Sequence, residues 1–177
     1  MPRLFTGLEI PSDLASDLAM LRGGLFGARW IDVENYHITL RFIGDIDDAS
    51  ARDVLATLER IRRRPFTVTI EGLASFGRER PRAIIAKAKP AQPLVDLQAE
   101  QERLMRRIGI PPEPRKFTPH VTLARLRDAS ALAVADYLST RGYFFSRRFE
   151  ASRFVLFSSR ASTGGGPYVV EAIYPLT

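Results

Sequence analysis

Tyr36-His37-Ile38-Thr39-Leu40-Arg41-Phe42-Ile43 returns 83 residues further on as Pro119-His120-Val121-Thr122-Leu123-Ala124-Arg125-Leu126, so the tetrapeptide H-[I/V]-T-L occurs twice. The chain has two histidines, and both head this motif. With ten threonines and nineteen leucines in 177 residues, chance places x-T-L after a given residue about 0.6% of the time. The echo runs on: Ile43 matches Leu126, Asp45 matches Asp128, and each strand leads to an Asp-Ala-Ser helix start, Asp48-Ala49-Ser50 and Asp128-Ala129-Ser130. An internal duplication explains all of this.

The strand period of two puts His37 and Thr39 on one face and Ile38 and Leu40 on the other, with the same split at His120 and Thr122 against Val121 and Leu123. Each motif therefore has one polar and one core face. Halves packed about a pseudo-twofold axis would bring both polar faces to one cleft. Arg125, five residues after His120, takes the opposite face in an ideal strand, and a bulge or strand end would change that.

Outward from the motifs, strands are expected at Arg3 to Glu9, Tyr36 to Ile43, Phe66 to Phe76, Arg82 to Lys89, Thr118 to Leu126, Phe149 to Phe157 and Tyr168 to Tyr174, with a short segment at Ala28 to Ile31. Apolar residues at helical spacing predict helices from Pro11 to about Arg22, Ala49 to Arg62, Pro93 to Ile108 and Ser130 to Leu138. Gly109 stops the third, and Gly164 to Pro167 turns between the last two strands. Strands and helices interleaved twice, with hairpins in each half, predict an α+β fold: bilobal, of mostly antiparallel sheets with outer helices, and a cleft between the lobes. With no linker in view, residues 1–177 are expected to form a single domain of two interleaved lobes.

Composition narrows the chemistry. At 45% hydrophobic and 26% charged the chain can bury a core, and having no cysteine it has neither disulfides nor thiolate chemistry. No stretch approaches ~18 apolar residues and the N-terminus lacks a leader pattern, so a soluble, cytoplasmic protein without membrane contact is expected. The net charge is +6, almost all of it Arg, since only Lys87, Lys89 and Lys116 are lysines. That balance suits a phosphorylated or polyanionic partner, although a GC-rich coding bias accounts for it equally well.

Two imidazoles and two hydroxyls in one cleft suit a phosphodiester. One neutral imidazole can take a proton from the attacking oxygen while the other, protonated, gives one to the leaving oxygen. Thr39 and Thr122 can hydrogen-bond the non-bridging oxygens. An H-x-T pair lacks the carboxylate of a usual ligand set, so neither metal nor cofactor is expected. A single histidine on a half-buried strand is more often structural than catalytic, and strand propensity alone can place a threonine. The duplicated pairing of each His with a Thr on the polar face favours catalysis.

At these residues the sequence resembles the two-histidine (2H) phosphoesterase superfamily, and within it the RNA 2′,3′-cyclic phosphodiesterase (2′-5′ RNA ligase) family. The likeness takes in Arg3-Leu4-Phe5-Thr6-Gly7-Leu8-Glu9-Ile10-Pro11, Arg29-Trp30, Asn35 to Gly44, Phe117 to Arg125 and the closing Gly-Gly-Pro-Tyr. It implies a water-filled cleft and hydrolysis of a terminal 2′,3′-cyclic phosphate to a 2′-phosphomonoester, with His37 as proton donor and His120 as proton acceptor. The implied partner is RNA with such an end, or a cyclic nucleotide, bound by a monomer. Arg29, Arg115, Lys116 and Arg125 are candidate RNA contacts. Phe42 and Phe117, with Phe76 and Tyr36, are candidates to stack a base, although core packing explains such rings better. The reverse reaction, 2′-5′ ligation, and a non-catalytic RNA-end or nucleotide-binding module stay open at this point.

Overall fold

In the computed structural model, which describes residues 3–141, 144, 146–159 and 166–177, nine strands form one antiparallel sheet. In chain order the elements are β1 (Arg3–Glu9), α1 (Ser12–Ala19), β2 (Ala28–Trp30), a 3₁₀ turn (Val33–Asn35), β3 (His37–Gly44), α2 (Asp48–Leu58), β4 (Phe66–Phe76), β5 (Ala83–Ala88), α3 (Gln92–Arg107), β6 (His120–Leu126), α4 (Ala131–Arg141), β7 (Arg147–Ala151), β8 (Arg153–Ser159) and β9 (Tyr168–Pro175). The expected Gly164 to Pro167 turn lies partly outside the described residues. Its Gly166 and Pro167 lead directly into β9.

The helices follow from local chemistry. The Asp47 side chain caps α2 by accepting the Ser50 amide at 2.7 Å, and Ser130 does the same for Ala133 in α4 at 3.0 Å. In α3, Leu94, Leu97, Gln101 and Met105 are buried at helical spacing, and Gly109 (φ 93°) ends it with Ile110 N–H donating to the Met105 carbonyl. Leu104 and Ile108, also at helical spacing, are partly buried against the same core, beside the fully buried Gln101 and Met105.

The sheet order is β7-β4-β5-β6-β3-β1-β8-β9, with β2 on the free part of β6. The two motif strands, β3 and β6, stand at the centre and meet through the single pair Ile38↔Val121. About that pair β1 corresponds to β5, β8 to β4 and β9 to β7. Each lobe borrows strands from the other half of the chain, since β8 and β9 extend the β1–β3 lobe and β2 joins β6.

One expected element is corrected. The alternating run at Phe149 to Phe157 is two strands, broken at Ser152, with β7 on β4 and β8 on β1. No glycine or proline marks the break. The sheet curls until its two ends meet there, and the Ser152 carbonyl accepts the Leu176 amide at 2.8 Å instead of a ladder partner.

Ile38, Leu40, Val121 and Leu123 point to the helical side, where they join Leu14, Leu18, Val54, Leu58, Leu94 and Leu97 in one core. His37, Thr39, His120 and Thr122 rise from the other face. Gly7 lies opposite Thr39 in β1, where an added Cβ would stand 2.8 Å from the Ile38 carbonyl oxygen and 3.1 Å from the Phe157 ring. Gly7→Ala is therefore expected to cost about 1–3 kcal/mol of stability. A urea midpoint lowered at unchanged slope would show it.

Candidate active site

Each histidine opens its strand, and each is held in the same way. His37 Nδ1–H donates to the Asn35 carbonyl at 2.8 Å, and His120 Nδ1–H to the Thr118 carbonyl at 2.6 Å. A proton committed to Nδ1 leaves Nε2 of the neutral ring with a free lone pair, as a base requires. His37 Nε2 lies 2.9 Å from Thr39 Oγ1, so the hydroxyl donates to it while the ring is neutral. Continuing the antiparallel register from Ile38↔Val121 sets His37 across from Thr122 and His120 across from Thr39. All four line one cavity of about 360 Å³.

A matched pair of bulges completes the cleft. In β3 the register passes from Thr6↔Arg41 to Gly7↔Thr39, leaving Leu40 as the extra residue. In β6 it passes from Ile84↔Ala124 to Ile85↔Thr122, leaving Leu123 extra. Residues 40 and 41, and 123 and 124, are all buried as a result, and the next residue of each strand turns to the cleft. Those residues are Phe42 and Arg125. The opposite face that ideal alternation gives Arg125 is thus corrected by a bulge.

The surroundings of the two imidazoles differ. His37 is boxed by Phe5 (ring centroids 5.1 Å apart), Phe157 (5.4 Å) and the edge of Tyr168 (5.0 Å), whereas His120 meets the edge of Phe76 at 4.7 Å. Burial lowers the His37 pKa to about 4, against the support of its bond to Asn35 and with help from the nearby His120 and Arg125. Burial lowers His120 as well, with Arg125 adding to the effect. Arg125 also hydrogen-bonds the Tyr168 phenol, whose pKa burial raises, and so links β6 to the start of β9 across the cleft. Asn35 anchors that start too, its side-chain oxygen accepting the Tyr168 amide at 3.4 Å.

The folded state holds fewer protons than the unfolded chain wherever the His37 pKa is depressed. Its contribution to stability is full above pH 6.5 and is lost as pH falls toward 4. Urea unfolding at pH 7 and pH 5 should show the lower midpoint at pH 5.

Of the residues singled out from sequence, His37, Thr39, Phe42, Arg115, His120, Thr122 and Arg125 line the cavity, as does Phe76. Arg29 is exposed directly opposite Arg125 in the β2–β6 pairing, on the same sheet face but outside the cavity lining. Lys116 is exposed on the connection before β6, Phe117 packs against the core, and Tyr36 is buried within it. Sequence reasoning missed Phe5 and Arg82, and assigned no role to Asn35 or Tyr168. Phe5, Asn35 and Tyr168 fall within stretches that carry the family likeness, which was the available clue. Among the described residues no group of three or more His, Asp or Glu converges as a metal-ligand set, and no helix is long and apolar enough to cross a membrane.

The chain matches the family model described as LigT-like phosphoesterase twice, over residues 8–86 and 84–168, so each match contains one H-x-T-L motif. It is 33% identical to the RNA 2′,3′-cyclic phosphodiesterase of Aquifex aeolicus, over 82% of this chain and 81% of that one. It is 38% identical to the protein of the same name from Aeropyrum pernix, over 58% of this chain and 59% of that relative, which is under two thirds of the relative's length. Among solved structures, Escherichia coli LigT complexed with 3′-AMP superposes with a TM-score of 0.81 at 26% identity, covering 100% of this chain and 99% of that one. A Thermus thermophilus protein shares the fold with a TM-score of 0.84 at 24% identity, covering 98% and 97%.

Proposed function

The chain belongs to the LigT-like phosphoesterase family, and from that premise we propose that it hydrolyses RNA 2′,3′-cyclic phosphodiester ends to 2′-phosphomonoesters by acid–base catalysis between His37 and His120. The observation that carries this reading is the pair of imidazoles anchored identically through Nδ1 in one cavity, with His37 Nε2 meeting only the hydroxyl of its motif threonine, Thr39. Both come from one chain, in keeping with a monomer acting on RNA ends or cyclic nucleotides.

With the roles the family resemblance implies, His120 Nε2 takes a proton from water as its oxygen bonds to phosphorus. The bond from phosphorus to the 3′ oxygen breaks, and His37 Nε2–H supplies the proton that oxygen needs. Water has then been added, the phosphate stays on the 2′ oxygen, and a proton relayed from His120 to His37 restores the starting state. Thr39 and Thr122 donate to the non-bridging oxygens, and Arg125 sets a cation beside them. Phe42, 57% exposed on the cleft face, is the ring most open to a terminal base.

The test is direct. An oligoribonucleotide ending in a 2′,3′-cyclic phosphate, incubated with the protein and EDTA, should gain a 2′-phosphate. RNA recovered unchanged, or equal turnover by His37→Gln, would overturn the reading. A joined product with a 5′-hydroxyl acceptor would show the reverse direction through the same groups.

The pH dependence has a stated direction. The working form holds one proton on the histidine pair, and kcat/KM reports the free enzyme. With His37 near 4 and His120 below its ordinary 6.5, the bell in kcat/KM should peak on the acid side of neutrality. The bell in kcat should lie at higher pH, because a bound phosphate anion favours the protonated imidazole. A kcat/KM profile flat from pH 4 to 9 would contradict both statements.

A further inference from the structure

Tyr168 lies outside both motifs, at the start of the edge strand β9, and several contacts hold it against the site. Its ring packs on the small cluster of Phe5, Val155 and Phe157. It stands nearly at a right angle to the His37 ring, at an interplanar angle of 85° with centroids 5.0 Å apart. Its amide donates to the Asn35 side chain, and the Asn35 carbonyl is also the acceptor of His37 Nδ1–H. An added Cβ at Gly166, φ 101°, would stand 2.4 Å from Asn35 Nδ2, so the backbone entering β9 runs directly against that side chain. Tyr168 thus shares its anchor with a catalytic imidazole.

Its phenol reaches the other lobe. Between β9 and β6 the sheet places β8, β1 and β3, and Arg125 of β6 spans that distance to hydrogen-bond the Tyr168 hydroxyl. The bulge at Leu123 gives Arg125 the cleft face, but a bulge does not choose where a long, flexible side chain points once it is there. A phenol oxygen on a ring fixed by packing can make that choice. As a neutral acceptor it directs the guanidinium and leaves its charge available, whereas a carboxylate in the same place would compete with the phosphate.

We propose that Tyr168 is a positioning residue of the phosphodiesterase reaction: its hydroxyl fixes the Arg125 guanidinium inside the cleft, so that a cation stands ready beside the two imidazoles before substrate arrives. This rests on the reading of the cavity as a cyclic phosphodiesterase site. The charge of Arg125 lowers the pKa of both His37 and His120, so its position is written into their titration. Tyr168 is itself neutral through the working pH range, burial having raised its phenol, and removing the hydroxyl takes no charge from the site. Among the other charged groups, Glu9 of β1 stands opposite His37 and pairs with Arg153 of β8 at 2.7 Å, and Lys87 of β5 stands opposite His120. Arg3, Arg82 and Arg115 line the same cavity. Tyr168→Phe leaves all of these side chains in the protein.

The experiment uses the fact that the chain has two histidines, so proton NMR of their C2–H positions reads both titrations without any substrate. In Tyr168→Phe, which keeps the ring, both titrations should move to higher pH, in the direction of Arg125→Met but less far. Tyr168→Phe/Arg125→Met should titrate as Arg125→Met does alone. In parallel, kcat/KM for a 2′,3′-cyclic mononucleotide should fall roughly tenfold in Tyr168→Phe, its pH bell moving to higher pH, with no further fall when Tyr168→Phe is added to Arg125→Met. A role in packing alone would lower activity equally in both backgrounds and leave the pH bell where it is. Titrations unmoved in Tyr168→Phe, or an equal further loss in the Arg125→Met background, would overturn the proposal. Should the wild type hydrolyse no cyclic phosphate, the catalytic reading fails separately and the titrations still decide. An upward shift in Tyr168→Phe that vanishes in the Arg125→Met background supports the positioning role, and its absence overturns it.

Discussion

Replacing His37 or His120 by alanine is expected to lower turnover of a 2′,3′-cyclic RNA end by about 100- to 10,000-fold, and replacing both to lower it little further. The two groups act in one transition state, where neither accepting nor donating a proton helps without the other. Each single variant should also lose one limb of the pH profile, which general damage to the fold would not do. The Nδ1 bond of each histidine goes to a backbone carbonyl and not to a remote side chain, so neither removal leaves a charged group unpaired. Single-turnover rates beside thermal melts of each variant check this. Loss below tenfold with the fold intact would end the acid–base reading.

Arg41→Met is expected to cost about 3–5 kcal/mol of stability, which for a chain of this size lowers Tm by roughly 6–20 °C. The bulge that turns Phe42 to the cleft drives the Arg41 side chain, 3% exposed, into the protein. There it pairs with Glu102 of α3, donates to the Phe42 carbonyl, and donates to the Pro111 carbonyl at 2.5 Å. Glu102 in turn accepts the Glu113 amide at 3.2 Å. Removing the guanidinium leaves Glu102 unpaired and two carbonyls without a donor. Arg41→Met/Glu102→Met should recover part of the loss, because the uncompensated carboxylate goes with its partner. Denaturant midpoints of the wild type, both single variants and the double variant measure this. The same contacts tie the start of the 111–119 connection to β3, so Arg41→Met should also weaken whatever Arg115 binds.

How far the site was legible in the sequence follows from which contacts are local. The polar faces of the two motifs depend only on strand alternation, and His37, Thr39, His120 and Thr122 could be placed from the tetrapeptide itself. The bulges at Leu40 and Leu123 could not, because an extra residue is recognised only against the register of the neighbouring strands β1 and β5. Ideal alternation therefore gave Arg125 the wrong face. Phe5 and Arg82 reach the cleft by the pairing of β1 with β3 and of β5 with β6, which a linear reading does not contain. The division of Phe149 to Phe157 at Ser152 was hidden for a related reason: the alternation runs through the break, and only the curling of the sheet requires it. Tyr36 and Phe117, aromatic residues beside the motifs, belong to the core, as the packing of such rings favours.

Phe42 and Arg125 occupy the same place in the two repeats, one bulge beyond the histidine, and they are unlike. An assembly of two identical chains around a twofold axis must carry the same side chain at both positions, and so must present a substrate with two equal walls. A cyclic ribose phosphate bears a nucleoside on one side and a reacting oxygen on the other, and equal walls would accept it in two orientations, one of them unproductive. Holding both repeats in one polypeptide lets a single codon change give the cleft a left and a right, with the paired histidines untouched.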